Sequence, residues 1–102
     1  QADGGTRTAA ITGGFLALAQ ALIYLKTKEP SMKFPLSQFV SAVSVGIVDG
    51  TARLDLCYQE DSIAETDANF VINSNADFVE IQGTAEEKPF SPAQLQQMLE
   101  LA

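Results

Sequence analysis

An α+β fold, with helices layered on a sheet, is what this sequence predicts, and three observations predict it. A long apolar run near the start keeps helical spacing. Two later pairs of short segments alternate apolar and polar residues about turn-forming residues, and a capping signature opens a final apolar stripe. At 102 residues the chain is one domain at most, with room for a modest single core.

Residues from about 6 to 27 read as the first helix, because Ile11, Phe15, Leu18, Leu22 and Leu25 recur at helical spacing. Ala9, Ala10, Ala17, Ala19 and Ala21 occupy the other faces, so the helix is apolar nearly all round and is expected to be buried on more than one side. Pro30 and Pro35 in KTKEPSMKFPL break it. The stretch from 11 to 25 is read as too short for a bilayer span, and as interrupted by Thr12, Gly13, Gly14, Gln20 and Tyr24.

Strands follow. Val43, Val45 and Ile47 share one face, while Ala42, Ser44 and Gly46 leave the other slim enough for a helix to approach closely. Asp49-Gly50 is a hairpin signal, after which Leu54, Leu56 and Tyr58 alternate with Arg53, Asp55 and Cys57. A second hairpin is expected around Asn73-Ser74-Asn75, joining NFVIN to DFVEIQ. Ser91, Pro92 and Gln94 then form the start of the last helix, a capping box with proline in the first helical position, and Leu95, Met98, Leu99 and Ala102 are its buried stripe. The expected order is helix, four strands in two hairpins, helix. Phe15, Phe39, Phe70 and Phe78 are assigned to the core rather than to base stacking, because each sits in an apolar periodic context.

Composition narrows the chemistry. With 46 % hydrophobic and 19 % charged residues the chain is globular rather than disordered. Its net charge of −7 speaks against a charge-driven nucleic-acid binder, yet leaves room for a few phosphates at one site. The absence of histidine removes Ser-His and Cys-His triads, so any metal site must use oxygen ligands suited to magnesium or manganese. Cys57 is the sole cysteine, which rules out an intrachain disulfide and suggests a reducing, cytoplasmic setting; it reads as a small strand residue. No signal peptide is visible, and Gln1-Ala2 reads as the tail of an element whose start lies upstream.

Two places could carry chemistry. In QADGGTRTAAITGG, Gly4-Gly5 lets the backbone come close to a ligand at a helix start, where unpaired N–H groups carry partial positive charge. Thr6 adds a hydroxyl and Arg7 a guanidinium fork suited to phosphate oxygens. An ordinary glycine turn, with a threonine N-cap and a solvated arginine, explains the same residues. In YQEDSIAETDAN, Glu60, Asp61, Glu65 and Asp67 lie close together with no basic residue between them. Asp61 and Glu65 would share a face in a helical turn. Such carboxylates suit a metal ion or a general acid, or else form a solvated acidic connection. An anion seat and a carboxylate cluster together are what phosphoryl chemistry requires. A small metal-binding or sugar-phosphate-binding domain is a further reading of the same motifs.

ADGGTRTAAITG, AVSVGIVDG, LDLCYQEDSIAETDAN and VEIQGTAE followed by PFS resemble the ribonuclease PH family, in the same order and at compatible spacing along essentially the whole chain. The resemblance implies a fold similar to the second domain of ribosomal protein S-five. It also implies a phosphate-dependent 3′–5′ exoribonuclease, a nucleotidyltransferase that releases nucleoside diphosphates while trimming transfer-RNA precursors, with ribosomal-RNA processing as a related task. Gly5, Thr6 and Arg7 match the phosphate-binding segment, with Arg7 on the attacking inorganic phosphate. Asp61 and Asp67 match the two active-site aspartates, serving as magnesium (or manganese) ligands and as general acid. RNA is the implied partner, and a hexameric ring of dimers, away from membranes, the implied assembly. Against a complete member, residues 1–102 correspond to a single partial domain, the C-terminal portion, without the N-terminal half or a short C-terminal extension. Cys57 stands where an acidic residue is common, and Glu87-Lys88 where Gly-Glu is usual. A non-catalytic RNA-binding or ring-assembly piece is the alternative expectation, and an exposed sheet edge would then favour self-association.

Overall fold

The computed structural model describes residues 4–86 and 88–102; the readings placed on Gln1-Ala2 and on Glu87 lie outside them. The elements are α1 (Thr6–Lys28), β1 (Val40–Val48), β2 (Thr51–Leu54), α2 (Tyr58–Ile63), β3 (Thr66–Asn73), β4 (Phe78–Ala85) and α3 (Pro92–Leu101). The four strands form one antiparallel sheet in the order β2-β1-β3-β4. This is the α+β class the sequence predicts, with α2 added between the two hairpins.

The alternation of β1 sorts the molecule into layers. Val45 and Ile47 join Ala68, Phe70 and Met98 in the main core, flanked by Val43, Leu95, Leu99 and Ala102. The α3 stripe therefore lands where expected, on one face of the sheet. Ser44 pairs with Asn69 and Gly46 with Asp67 on the opposite face, and α1 begins over that face. Ser91 caps α3 in both directions: its Oγ accepts from the Gln94 amide at 3.1 Å, and its own amide donates to Gln94 Oε1 at 2.9 Å.

Both expected hairpins form. Asp49 and Gly50 take left-handed φ values of 52° and 74° between paired Val48 and Thr51, the backbone a two-residue turn of this hand demands. Beyond Asn73 the second turn includes Ala76 at φ 64°. A register shift at Val71/Ile72 leaves Val79 as an extra residue on β4.

The alternation read through Tyr58 does not continue as strand. β2 ends at Leu54, because Asp55 adopts φ 56° and its amide donates to Ser44 O at 2.7 Å. Leu56 then turns inward to a second small cluster with Val48 and Ala64. Cys57 is consequently not a strand residue but the N-cap of α2, where it pairs with Glu60 in a capping box.

The expectation for α1 also changes. Thr8 is its one buried residue, while Leu16, Leu18, Ile23, Tyr24 and Leu25 are exposed. The reason is geometric: α1 packs only on β1 and an edge of β3, along a single stripe where Thr12 Oγ1 accepts from the Ala42 amide and donates to the Ala42 carbonyl. Among the described residues nothing covers the remaining sides. Thr12, Gly13 and Gly14 do not interrupt the helix, so by length and composition alone α1 could cross a membrane. One such helix is weak evidence for a span, and its Thr8–Thr12 side is seated on the sheet. Of the four phenylalanines, Phe70 is fully buried and Phe15 half-buried, edge-on to Phe39 at 5.9 Å. Phe39 and Phe78 are exposed, which corrects their assignment to the core.

Candidate functional site: an anion and carboxylate cavity

The helix start and the acidic segment meet. Gly5, Thr6, Arg7, Ser44, Asp61, Asp67 and Asn69 line one cavity of about 190 Å3. Three local features bring them there. Gly4 lies against the Leu56–Cys57 backbone so closely that a Cβ would sit 2.1 Å from Leu56 O, which holds the loop before α1 against the entry to α2. Gly5 is the N-cap of α1 at φ 68°, and Ala9 N donates to its carbonyl at 2.9 Å. α2 carries Asp61 in its first turn, and the Glu65 amide, bonded to Ile47 O at 2.8 Å, sets the chain into β3.

The threonine N-cap reading fails here, because Thr6 is inside the helix and the N-cap residue is a glycine with no side-chain oxygen to offer. Arg7 is not merely solvated either. Its Nη2 donates to Glu80 Oε1 at 2.6 Å, with both side chains about half-exposed. An ion pair this exposed is worth at most about 1 kcal/mol, so an incoming anion can compete for the guanidinium.

The carboxylates divide. Asp61 and Asp67 face the cavity, whereas Glu60 turns away to accept from Arg53 Nη1 at 3.0 Å; that bond, with the Cys57 side chain and amide, holds its carboxyl below its ordinary range. Glu65 lies beyond the end of α2, so it does not share a helical face with Asp61, and that expectation is corrected. Asp67 is the second residue of β3, half-buried, and its carboxyl is pushed up chiefly by burial, then by the charges of Asp61 and Glu86. A raised carboxyl beside a second carboxylate can keep a proton for transfer or accept a cation that relieves the repulsion. No group of three or more acidic ligands suited to a metal occurs among the described residues. Two carboxylates lining one cavity nevertheless fit magnesium, which is commonly held by one or two carboxylates, substrate phosphates and water.

Ser44, Asn69 and Glu86 were not singled out from sequence. Ser44 and Asn69 were within reach of the period-two pattern, since Asn69 shares a face with Asp67 and Ser44 lies opposite it across the ladder. Glu86 was not, because its place near Asp67 depends on β4 returning and on its amide bonding to Glu65 O at 2.8 Å.

This α+β fold sets a glycine-threonine-arginine helix start and paired aspartates around one cavity over a single sheet face. Residues 38–102 match the model of the 3′ exoribonuclease family, domain 2, and the chain belongs to that family. Among curated relatives it is similar to ribonuclease PH of Synechococcus sp. (strain JA-2-3B'a(2-13)), 57 % identical over 105 residues, and of Syntrophomonas wolfei, 58 % identical over 102. It is also 56 % identical to ribonuclease PH of Tropheryma whipplei over 102 residues. Each match takes in all of this chain but only 43 %, 43 % and 41 % of the relatives, so the chain spans about two fifths of their length. The α+β fold is accordingly the one similar to the second domain of ribosomal protein S-five.

Proposed function

We propose that the chain supplies the phosphate seat and the acidic pair of a phosphorolytic 3′–5′ exoribonuclease, a nucleotidyltransferase acting on transfer-RNA precursors. The observation that supports it is the single cavity lined by Gly5, Thr6, Arg7, Asp61 and Asp67. In this reading Gly5 and Thr6 present the helix start to inorganic phosphate, and Arg7 leaves Glu80 to fork two of its oxygens. Phosphate oxygen attacks the last phosphodiester phosphorus, the bond to the preceding 3′ oxygen breaks, and a nucleoside diphosphate departs. The new 3′ oxygen takes a proton from Asp67, whose raised carboxyl keeps it available. Asp61, joined by Asp67 once that carboxyl has given up its proton, would hold magnesium or manganese, which when bound neutralises charge on the reacting oxygens. The reverse reaction adds nucleotides.

The test is release of nucleoside diphosphates from RNA with a free 3′ end, with and without phosphate. It is run on this chain and on a chimera in which it replaces the matching part of a full-length relative. Phosphate-dependent release by the chimera that Arg7→Ala and Asp67→Ala abolish is expected; wild-type release by either variant removes that residue from the mechanism. The same reading carries a cytoplasmic setting and a ring of six, for which sedimentation of the chimera is the check.

A further inference from the structure

We infer that Ser44 is an additional phosphate ligand, a hydroxyl contributed from the floor of the sheet to the anion held at the start of α1. This deepens the proposed function and rests on its phosphate seat. Ser44 is 2 % exposed, and its Oγ is the one buried side-chain polar atom left without a hydrogen-bond partner among the described residues. Its own carbonyl is satisfied by the Asp55 amide, so the backbone is not what leaves the side chain in want. Buried hydroxyls are nearly always bonded, and an orphan is expensive unless something completes it. What Ser44 faces is the cavity formed with Gly5, Thr6 and Arg7.

Gly5 gives the placement its meaning. A Cβ there would lie 3.1 Å from Ser44 Oγ, so the missing side chain keeps the hydroxyl open to the helix start. The N-cap residue brings no side-chain oxygen to the first turn. A tetrahedral oxyanion seated there meets backbone donors from α1, the Arg7 fork from one side and Ser44 Oγ–H from below. Asp61 and Asp67 cannot donate to it when ionised, and Asn69 Nδ2 is already donating to Gln82 Oε1 at 3.0 Å. Ser44 is a neutral donor that the sheet holds buried and without a partner of its own.

The shared ligand chemistry is a phosphate oxygen, either of free phosphate or of the RNA backbone. Titrate the 102-residue chain, in buffer free of phosphate and sulfate, with inorganic phosphate and separately with a short oligoribonucleotide lacking terminal phosphates. Use wild type, Ser44→Ala, Ser44→Cys and Arg7→Ala, and record melting temperatures without ligand. Both Ser44 variants should weaken phosphate binding about tenfold or more, the size of one hydrogen bond to a charged group. Ser44→Ala should also melt at or above wild type when no anion is present, since it deletes an unpaired buried hydroxyl. Weakening confined to the oligoribonucleotide supports the ligand and assigns it to the RNA backbone. Unchanged binding of both probes by Ser44→Ala, with binding lost in Arg7→Ala, overturns the inference and leaves the phosphate seat standing. A lower melting temperature for unliganded Ser44→Ala overturns it as well, by revealing a partner within the protein. Wild type that binds neither probe overturns the seat and Ser44 together.

Discussion

Arg7, in the first turn of α1, and Asp67, the second residue of β3, line the same cavity although most of α1, then β1, β2 and α2, separate them in sequence. Neither element alone brings them to one cavity. Their meeting requires α1 to start over the face that β3 presents through Asp67 and Asn69, with β1 offering only Ser44 and Gly46 between them.

The pairing of Arg7 with Glu80 should act as a brake on anion binding. Glu80→Gln removes the competing carboxylate and is expected to tighten phosphate binding up to about fivefold, with a stability loss of no more than about 1 kcal/mol. Phosphate titration and urea unfolding of the variant check both values. Weaker binding would mean that Glu80 orients Arg7 rather than competing for it.

Asp67 gives a pH signature. Its carboxyl titrates higher in the fold than its ordinary value of 3.8, so in that window the folded state binds more protons than the unfolded state. Stability therefore falls as pH rises from below 3.8 through the raised value, and the penalty persists above it. Asp67→Asn is expected to stabilise the chain at neutral pH, with the gain over wild type shrinking toward zero as pH drops below 4. Unfolding curves across that range would expose the opposite trend if Asp67 were instead held charged.

Gly4 is predicted to matter for binding more than for folding. The Cβ of Gly4→Ala cannot coexist with Leu56 O at 2.1 Å, so the loop must lift and carry Gly5 and Arg7 with it. A displacement of about 1 Å can cost roughly a hundredfold in function. Phosphate binding should fall at least tenfold while circular dichroism keeps the sheet signal.

Core and surface aromatics should separate cleanly. Phe70→Ala is expected to cost about 3–5 kcal/mol, a large share of the stability of a domain this size. Phe39→Ala, exposed and held by one edge-on ring, should cost about 1 kcal/mol or less. Denaturant midpoints of the two variants test the ranking.

Magnesium dependence offers a direct test of the acidic pair. Adding the ion should pull the Asp67 titration downward in wild type and much less in Asp61→Asn, because the cation offsets the desolvation of the buried carboxyl and the charge of Asp61 beside it. Carboxyl chemical shifts followed against pH would report it.

The sequence by itself determined the elements whose causes are local. Helical spacing marked α1, Asp49-Gly50 set one turn, Ser91 and Gln94 fixed the start of α3, and alternation told the two faces of β1 apart. It also brought the glycine-threonine-arginine start and the aspartates under one hypothesis. Tertiary structure alone decided the rest. Apolar spacing could not say how much of α1 the sheet would cover, since that depends on which strands lie beneath the helix, here β1 and an edge of β3. Alternation could not foresee that Asp55 would leave the strand, because a left-handed residue bonded to Ser44 O is a contact across the fold. Ser44 entered the cavity for the same reason: period two gives a side chain its face, while only the arriving helix decides what that face meets.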